Sequence, residues 1–199
     1  MMKDAPVIIL SGYAGSGKST ISKYLVDNFG FIELSFADEL KNSASDTYGI
    51  DRRHFDDPAH KNKGIRSLEA DPHDPLTHVM ECIDGRYYWT PRAIAILEGN
   101  TRRRVQPLYW ISALLVQLNL ARVHRRPVVI SDCRFPNELE ALKKFPNSHH
   151  VRINRWDSAE FKDKSETSLD NAPVDQYLTN HKNLTALFDQ VNLLLHIIS

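Results

Sequence analysis

The chain has 199 residues, of which 42% are hydrophobic, and its 25 basic and 25 acidic side chains give a formal net charge of zero. This length and composition suffice for a sizeable core, and we expect residues 1–199 to form a single domain with an insertion or lid. The charge balance provides no bulk electrostatic footprint for nucleic acid or an anionic membrane, so we expect neither as a partner.

The first predicted strand, "PVIILS" at residues 6–11, is typical of a strand buried on both faces, and it leads into "GYAGSGKST". The spacing Gly12-x-x-x-x-Gly17-Lys18-Ser19 matches the phosphate-loop pattern in full. In this pattern the backbone N–H groups face an anion, the lysine reaches the outer phosphates and the serine hydroxyl coordinates Mg²⁺. Apolar residues at helical spacing up to Gly30 then predict a helix whose N-terminus also attracts phosphate. The sequence therefore predicts a site for a nucleoside triphosphate and Mg²⁺, contacted by Gly12, Ala14, Gly15, Ser16, Gly17, Lys18, Ser19 and Thr20.

A second strand, "FIELSF" at residues 31–36, precedes a predicted helix, "ADELKNSASDTYG", that ends near Gly49. Asp38 and Lys41 are three residues apart on this helix and therefore share one face. Lys41 is a candidate to bind the phosphate of an acceptor, and the alternative is an ordinary solvated lysine. Residues 50–76 are charged and interrupted by prolines, so we expect an irregular excursion there.

Two further helices are predicted before the next strand. In "TPRAIAILEG", Thr90 is the expected N-cap, Pro91 the first helical residue and Gly99 the stop. The second helix covers residues 107–124, and its predicted apolar face consists of Leu108, Ile111, Leu114, Leu115, Leu118 and Val123. The basic run at 101–104 either faces the site or is a solvated helix end.

The strand "PVVIS" at residues 127–131 and the helix "PNELEALKKF" flank Asp132 and Arg134. Asp132 follows the strand directly, so it is expected at the carboxyl edge of the sheet, where open α/β proteins bind ligands. There it can orient Mg²⁺ opposite Ser19, and Arg134 can clamp a phosphate through its planar fork. The alternative is that Asp132 caps a turn and Arg134 is a solvated surface residue.

The remaining chain predicts a strand in "HHVRIN", a polar loop or lid, a short strand in "VDQYLTN" and a C-terminal helix. Repeated strand–helix units predict an α/β fold with a mostly parallel sheet flanked by helices. The terminal apolar runs are too short for a signal peptide or a membrane span, and Cys82 and Cys133 fit no metal-site spacing. We therefore expect a soluble cytoplasmic protein with reduced thiols.

The ordered set "GYAGSGKST", "SFADELK", "WTPRAIAILEGNTRRRVQPLYWISAL", "VVISDCRFPNELEAL" and "SETSLDN…YLTNHKNLTALFDQV" resembles the bacteriophage deoxynucleoside monophosphate kinases. The resemblance covers nearly the whole chain apart from roughly residues 50–85. It implies a three-layer P-loop kinase fold, an acceptor-binding helical region within about 37–125 and a small lid at about 155–172. It also implies transfer of the γ-phosphoryl group of ATP to a deoxynucleoside monophosphate, a step of deoxynucleotide biosynthesis.

The resemblance also assigns residues by matching position. Lys18 and Ser19 would serve ATP and Mg²⁺. The acceptor would meet Lys41, Arg92 and Arg134, and the last of these would also act on the transferring phosphate. Asp38, on the same helix face as Lys41, is a further candidate for the acceptor. Arg155 would close on the triphosphate or adenine, and Asn180 would lie near the adenine.

Glu98 departs from this family pattern, because it interrupts the turn expected before residues 102–104. Two rival functions stay open: a kinase of another phosphorylated metabolite, such as phosphomevalonate or dephospho-coenzyme A, and an ATP-binding switch. The sequence also leaves open the accepted base, the exclusion of ribonucleotides and the oligomeric state, with a homodimer as one alternative.

Overall fold

The secondary-structure elements come from a computed structural model, which describes residues 4–155, 167–181 and 183–198. The strands are β1 (Val7–Ser11), β2 (Ile32–Leu34), β3 (Glu69–Ala70), β4 (Glu81–Ile83), β5 (Arg86–Tyr88), β6 (Val128–Ile130), β7 (Ser148–Asn154) and β8 (Gln176–Thr179). The helices are α1 (Lys18–Phe29), α2 (Phe36–Tyr48), α3 (Arg53–Asp56), α4 (Pro91–Val105), α5 (Tyr109–Val123), α6 (Pro136–Lys143) and α7 (Leu184–Ile198), with a 3₁₀ turn at Thr77–Val79.

The chain divides into two compact units, one formed by Met1–Phe36 with Ile111–Ser199 and the other by Ala37–Trp110. The first unit is built on a five-stranded sheet of order β2-β6-β1-β7-β8, in which every neighbouring pair is parallel. Because parallel strands all end at one edge, the carboxyl ends of β1 and β6 open toward the same side of the sheet. The residues after both strands are therefore placed where an α/β protein binds its ligand.

Alternating side chains of the central strands supply the core of the first unit. Ile8 and Leu10 of β1 are fully buried and belong to a cluster that also contains residues of β7, α1 and α7. Val7 and Ile9 point to the opposite face and are also buried, as expected for a parallel sheet covered on both sides. Two buried polar residues of β7, His150 and Arg152, lie on this second face, because they pair in register with Ile9 and Ser11.

The second unit combines helices with a three-stranded antiparallel sheet of order β3-β5-β4. Its core cluster contains Ala44 of α2, Phe55 of α3 and Ile94 of α4. Thr90 caps α4, because its hydroxyl accepts a hydrogen bond of 3.0 Å from the backbone N–H of Ala93. Pro91 is the first residue of that helix, so the predicted start is confirmed.

Most predicted elements are confirmed, including the parallel sheet, and three predictions are wrong. Helix α4 does not stop at Gly99 but continues to Val105, because Gly99 does not adopt the positive φ of a helix-ending glycine. It lies close to Leu40 instead, and a Cβ there would be 2.7 Å from Leu40 Cδ1. Leu108 and Val123 are 55% and 77% exposed rather than part of the buried face of α5. The excursion at 50–76 contains α3 and β3, and its sequence gave no sign of them.

Short elements explain the last of these errors. Strand β3 has two residues, too few for an alternating pattern, and it pairs with β5 some 17 residues further on, at Ala70 and Tyr87. Of the predicted lid, residues 156–166 lie outside the described residues. Among the helices that the structure describes, none is long and apolar enough to cross a membrane.

Candidate phosphate-binding site

The loop between β1 and α1 has the backbone geometry that its glycines predict. Gly12, Gly15 and Gly17 have φ values of 133°, 72° and 111°, which L side chains rarely adopt. A Cβ on Gly12 would also lie 2.5 Å from the backbone oxygen of Ile153, and one on Gly17 would lie 2.7 Å from Asn180 Nδ2. The loop therefore lies against β7 and Asn180 so closely that two of its glycines leave no room for a side chain.

Lys18 is the first residue of α1 and folds back over the loop. Its Nζ donates hydrogen bonds of 2.7 Å to the carbonyl of Gly12 and 2.9 Å to that of Tyr13. Ser16 is buried, and its Oγ has no hydrogen-bond partner among the described residues. A buried polar atom of this kind normally has a partner, so its position inside the loop fits an oxygen of a bound anion.

An open cavity of about 400 Å³ adjoins the loop and is lined by Gly15, Gly17, Lys18, Ser19, Thr20, Arg155, Asn180 and Leu184. Two side chains from distant positions tie its walls to the loop. Arg155 Nη1 donates a 2.6 Å hydrogen bond to the carbonyl of Gly15, and Asn180 Nδ2 donates one of 2.9 Å to that of Ser16. The cavity is within the range of small-molecule sites, and its polar groups converge at the helix N-terminus.

A second cavity, of about 60 Å³, is also lined by Lys18, together with Ser11, Gly12, Ala14, Cys133, Arg134 and Leu169. Arg134 is exposed, and the Glu138 carboxylate fixes its backbone by accepting the N–H groups of Arg134 at 2.9 Å and Phe135 at 3.1 Å. Cys133 is buried, and this burial raises the pKa of its thiol. The structure thus brings Lys18 and Arg134, two predicted site residues, to one cavity.

Asp132 lies at the carboxyl end of β6, as predicted, but its carboxylate is engaged within the first unit. Its Oδ2 accepts a 2.9 Å hydrogen bond from the Ser35 hydroxyl, and its Oδ1 accepts one of 2.9 Å from the backbone N–H of Phe36, the first residue of α2. The carboxylate thus joins the ends of β2 and β6. Its predicted metal role with Ser19 stays a prediction.

Sequence reasoning missed a buried histidine behind the loop. His150 is fully buried, and its Nδ1 lies 2.6 Å from the carbonyl oxygen of Pro173, which can only accept. Nδ1 therefore carries the proton, and Nε2 accepts the hydroxyl of Ser11 at 2.7 Å. Burial lowers the pKa of His150, which favours this neutral form. Since Ser11 directly precedes Gly12, His150 fixes the start of the loop.

Arg152 makes a second connection behind the loop, to Leu169 and Asp170 within the predicted lid. Its guanidinium donates to the carbonyl of Leu169 at 3.0 Å, pairs with Asp170 and lies 5.3 Å from the ring centre of Tyr13. The Tyr13 hydroxyl in turn donates a 2.8 Å hydrogen bond to Asp170. The sequence carries no local signal for these contacts, because Leu169 and Asp170 are 17 and 18 residues away from Arg152 along the chain.

The second unit contains the remaining predicted site residues. Lys41 Nζ pairs with Asp56 Oδ1 at 2.8 Å, and Asp38 Oδ1 accepts Arg52 Nη2 at 2.7 Å. Arg92 has an exposed side chain in the first turn of α4, and its backbone N–H donates to the carbonyl of Lys61 at 2.9 Å. Lys41 and Asp38 therefore belong to one ion-pair cluster, which also contains Arg52 and Asp56.

Glu98, which departs from the family pattern, has a structural environment. It is buried, and its Oε1 accepts the hydroxyl of Ser43 at 2.6 Å and Arg102 Nε at 2.9 Å. Burial acts to raise the pKa of Glu98, but the hydrogen bonds from Ser43, Arg102 and Thr47 outweigh it and the pKa is lowered. Of the three arginines at 102–104, Arg102 thus pairs within the second unit and joins α4 to α2.

The residues of the first unit fit a nucleoside triphosphate with Mg²⁺. The donor set consists of a glycine-dependent loop at a helix N-terminus, one lysine and an exposed serine hydroxyl at Ser19. The orphaned Ser16 hydroxyl provides one more hydrogen-bonding group inside the loop. Backbone N–H groups and a lysine are the groups that bind phosphate oxygens, and a serine hydroxyl is a ligand for Mg²⁺.

Comparison with known proteins gives one relative in sequence and several in structure. No protein-family profile matches the chain. A protein of Acanthamoeba polyphaga mimivirus named "Putative deoxynucleotide monophosphate kinase" is 26% identical over 204 residues, covering 93% of each chain.

Two solved structures match over nearly their whole length. Dephospho-CoA kinase from Campylobacter jejuni has a TM-score of 0.51 at 13% identity and 98% coverage of both chains. A protein of Chloroflexus aurantiacus described as a "putative kinase" has a TM-score of 0.50 at 14% identity and 100% coverage. Together with the parallel sheet and the phosphate loop, these matches show that the chain has an α/β P-loop kinase fold.

Proposed function

We propose that this protein is a kinase that transfers the γ-phosphoryl group of ATP to a deoxynucleoside monophosphate. The observation that carries the proposal is the loop at residues 12–19, with its strained glycines, its lysine and its position beside a cavity of about 400 Å³. The acceptor class rests on the name of the mimivirus relative, which matches almost the full length of the chain. The α/β P-loop kinase fold agrees with both.

The loop residues hold the triphosphate in this proposal. Backbone N–H groups between Gly12 and Ser19 donate to its phosphate oxygens, and the N-terminus of α1 adds its partial positive charge. Lys18 exchanges its bonds to the carbonyls of Gly12 and Tyr13 for bonds to the outer phosphates. Ser19 and Asp132 would hold Mg²⁺, which supplies positive charge against the phosphate oxygens.

Three further side chains act around the loop. Arg134 shares the small cavity with Lys18 and stabilises the charge of the transferring phosphate through its planar fork. Arg155 and Asn180 line the large cavity and bind the nucleotide, the first at the triphosphate and the second toward the base. Phosphoryl transfer depends almost entirely on such positioning and charge stabilisation, so no covalent step on the protein is needed.

The acceptor is assigned to the second unit. Lys41 and Arg92 carry the positive charge that a nucleotide monophosphate requires, and Asp38 lies beside Lys41 on the same helix face. Transfer between two anions requires that their repulsion be cancelled, and cations that bind the acceptor phosphate contribute to this.

The test is a panel of all common deoxynucleoside and ribonucleoside monophosphates with ATP and Mg²⁺, followed by ADP release. Lys18→Ala is expected to lose about 10²–10³-fold in turnover, the cost of a single preorganised donor. Lys23→Ala is the matched control: it removes the same charge from the same helix, and Lys23 is exposed and pairs with Asp27 at 2.8 Å. Parental turnover in Lys18→Ala, or no acceptor-dependent ADP release with any monophosphate, would contradict the proposal.

A further inference from the structure

Lys41 and Arg52 converge on one carboxylate in the second unit. Lys41 Nζ donates to Asp56 Oδ1 at 2.8 Å, and Arg52 Nη1 pairs with Asp56 Oδ2. Each carboxylate oxygen therefore faces its own cation. A lysine and an arginine that share two oxygens of one anion form the kind of donor set that binds a phosphate group.

Arg52 is held in place by groups other than Asp56. Its Nε donates to Asn42 Oδ1 and its Nη2 to Asp38 Oδ1, both at 2.7 Å. Asp38 and Asn42 are one turn apart on α2, so they fix two edges of the guanidinium from the same helix face. The third edge, Nη1, is the one that faces Asp56. The guanidinium is thus preorganised whether or not Asp56 is charged.

The carboxylate is more accessible than the cations that bind it. The side chain of Asp56 is 53% exposed, whereas those of Lys41 and Arg52 are each 27% exposed. Partial burial acts to raise the pKa of Asp56, but the two cations outweigh it and the pKa is lowered, so this carboxylate is charged at neutral pH. Phe55, which is buried in the core cluster, anchors α3 independently of the ion pairs.

We propose that Lys41 and Arg52 form a subsite for a phosphomonoester and that the Asp56 carboxylate occupies this subsite when no phosphate is bound. The proposal deepens the proposed function and rests on it, because the phosphomonoester is taken to be that of the acceptor nucleotide. Asp38 and Asn42 are positioning residues for Arg52 and do not contact the phosphate. Lys41, Arg52, Asp38 and Asp56 sum to a charge of zero, so the dianion binds only when the Asp56 carboxylate swings away into solvent.

The effect of neutralising Asp56 on phosphate affinity distinguishes a competing internal anion from an ordinary structural ion pair. If Asp56 competes with phosphate, neutralising it leaves the cations in place with a net positive charge and strengthens phosphate binding. If Asp56 only braces α3 against α2, neutralising it leaves phosphate binding unchanged or weaker.

The test compares Asp56→Asn with Asp51→Asn by calorimetric titration without ATP. Asp51 is the matched control, because it lies on the same segment and pairs with a different arginine, Arg53, at 2.5 Å. The probes are inorganic phosphate and the deoxynucleoside 5′-monophosphates. Asp56→Asn is expected to bind both probes about three- to tenfold more tightly. This is the size of effect expected when the phosphate no longer has to displace one or two exposed ion pairs. Asp51→Asn is expected to stay within about twofold of the parent.

A second pair of variants tests the cation. Arg52→Gln is expected to weaken binding of the monophosphates at least about tenfold, whereas Arg53→Gln is expected to leave it unchanged. Arg53 is 88% exposed and pairs with Asp51, which is not a member of the cluster formed by Lys41, Arg52, Asp38 and Asp56. Thermal unfolding of each variant confirms that the second unit is folded. In steady-state assays, Asp56→Asn is expected to lower the KM of the acceptor and to leave the KM of ATP unchanged.

The outcomes separate this proposal from the proposed function. Unchanged or weaker phosphate binding in folded Asp56→Asn overturns the subsite, even if the parent phosphorylates a deoxynucleotide. Tighter binding of phosphate and nucleotides in Asp56→Asn supports the subsite, even if no phosphoryl transfer is seen and the kinase assignment fails. If Asp56→Asn binds inorganic phosphate more tightly but not the nucleotides, the acceptor role is overturned and the subsite is assigned to free phosphate.

Discussion

Replacing Gly17 by alanine tests whether the close approach of the loop to Asn180 is required. The φ of Gly17 is 111°, and an added Cβ would lie 2.7 Å from Asn180 Nδ2. Asn180 is buried, and the same nitrogen donates the 2.9 Å hydrogen bond to the carbonyl of Ser16. The methyl group therefore strains the backbone and also displaces a hydrogen-bond donor.

The backbone strain and the displaced hydrogen bond together determine how far Gly17→Ala should lower the free energy of unfolding. Holding a non-glycine residue in a sparsely populated φ region costs about 1–3 kcal/mol. Leaving a buried hydrogen-bonding group without its partner costs about 1–3 kcal/mol more. Gly17→Ala should therefore lower the free energy of unfolding by about 2–6 kcal/mol. Gly30, the C-cap of α1, is the control: its φ is also positive, at 68°, but no atom lies within 4 Å of an added Cβ. Gly30→Ala should cost only about 1 kcal/mol, the price of the backbone conformation alone.

Urea unfolding of Gly17→Ala, Asn180→Ala and the double variant measures the two contributions. If Asn180 is the group displaced, its loss relieves the clash, and the double variant should be less destabilised than the sum of the single variants by roughly 1 kcal/mol. A Gly17→Ala protein within about 0.5 kcal/mol of the parent, or strictly additive effects, would refute this reasoning.

Three further predictions concern the groups around the loop. Arg134→Lys keeps the charge but loses the bidentate fork, so kcat/KM for the acceptor should fall at least about tenfold, roughly 1.4 kcal/mol. The affinity for ATP should change little, and parental kinetics would remove Arg134 from the site. Asp132→Asn should shift the Mg²⁺ dependence of turnover to higher concentration, and an unchanged titration would leave Asp132 only its contacts with Ser35 and Phe36. Burial lowers the pKa of His150 below its ordinary value of 6.5, so the unfolded chain takes up a proton at a higher pH than the folded protein does. The free energy of unfolding should therefore fall as the pH drops below about 6.5. Urea unfolding of His150→Gln between pH 5 and 8 should show a flatter profile, and an unchanged slope would exclude this histidine as the cause.

The phosphate loop was predictable because its determinants are local. Gly12, Gly17, Lys18 and Ser19 lie within eight residues, and the strand before them and the helix after them are read from adjacent apolar patterns. The parallel sheet followed from the same kind of signal, since β1, β2 and β6 are short apolar or alternating runs followed by helices. These features depend on the order of residues along the chain and not on contacts between distant segments.

The parts that sequence analysis missed depend on long-range contacts. Gly99 resembles a helix stop, but its role is set by Leu40 on another helix. His150 lies in the strand that "HHVRIN" predicts, but its role depends on Ser11 and Pro173, 139 and 23 residues away. Such pairs are formed by the tertiary fold, so no local pattern reports them.

The apolar pattern of α5 was ambiguous for a different reason. Its hydrophobic residues extend around most of the helix, and a pattern of this kind does not identify the buried face. The structure buries Ile111, Leu114 and Leu118, and it leaves Val116 and Leu120 more than half exposed. Packing against neighbouring elements decides the orientation, and the sequence of the helix alone does not contain that information.

The central claim is that the γ-phosphoryl group moves to a nucleotide and not to water. The most direct measurement uses ATP labelled with ³²P at the γ-position, Mg²⁺ and a single deoxynucleoside monophosphate, with the products separated by chromatography. We expect the label in the β-position of a deoxynucleoside diphosphate. Lys18→Ala is expected to suppress this transfer, whereas Lys23→Ala is not. Label released only as inorganic phosphate, at a rate that no monophosphate changes, would contradict the account and favour an ATP-binding switch.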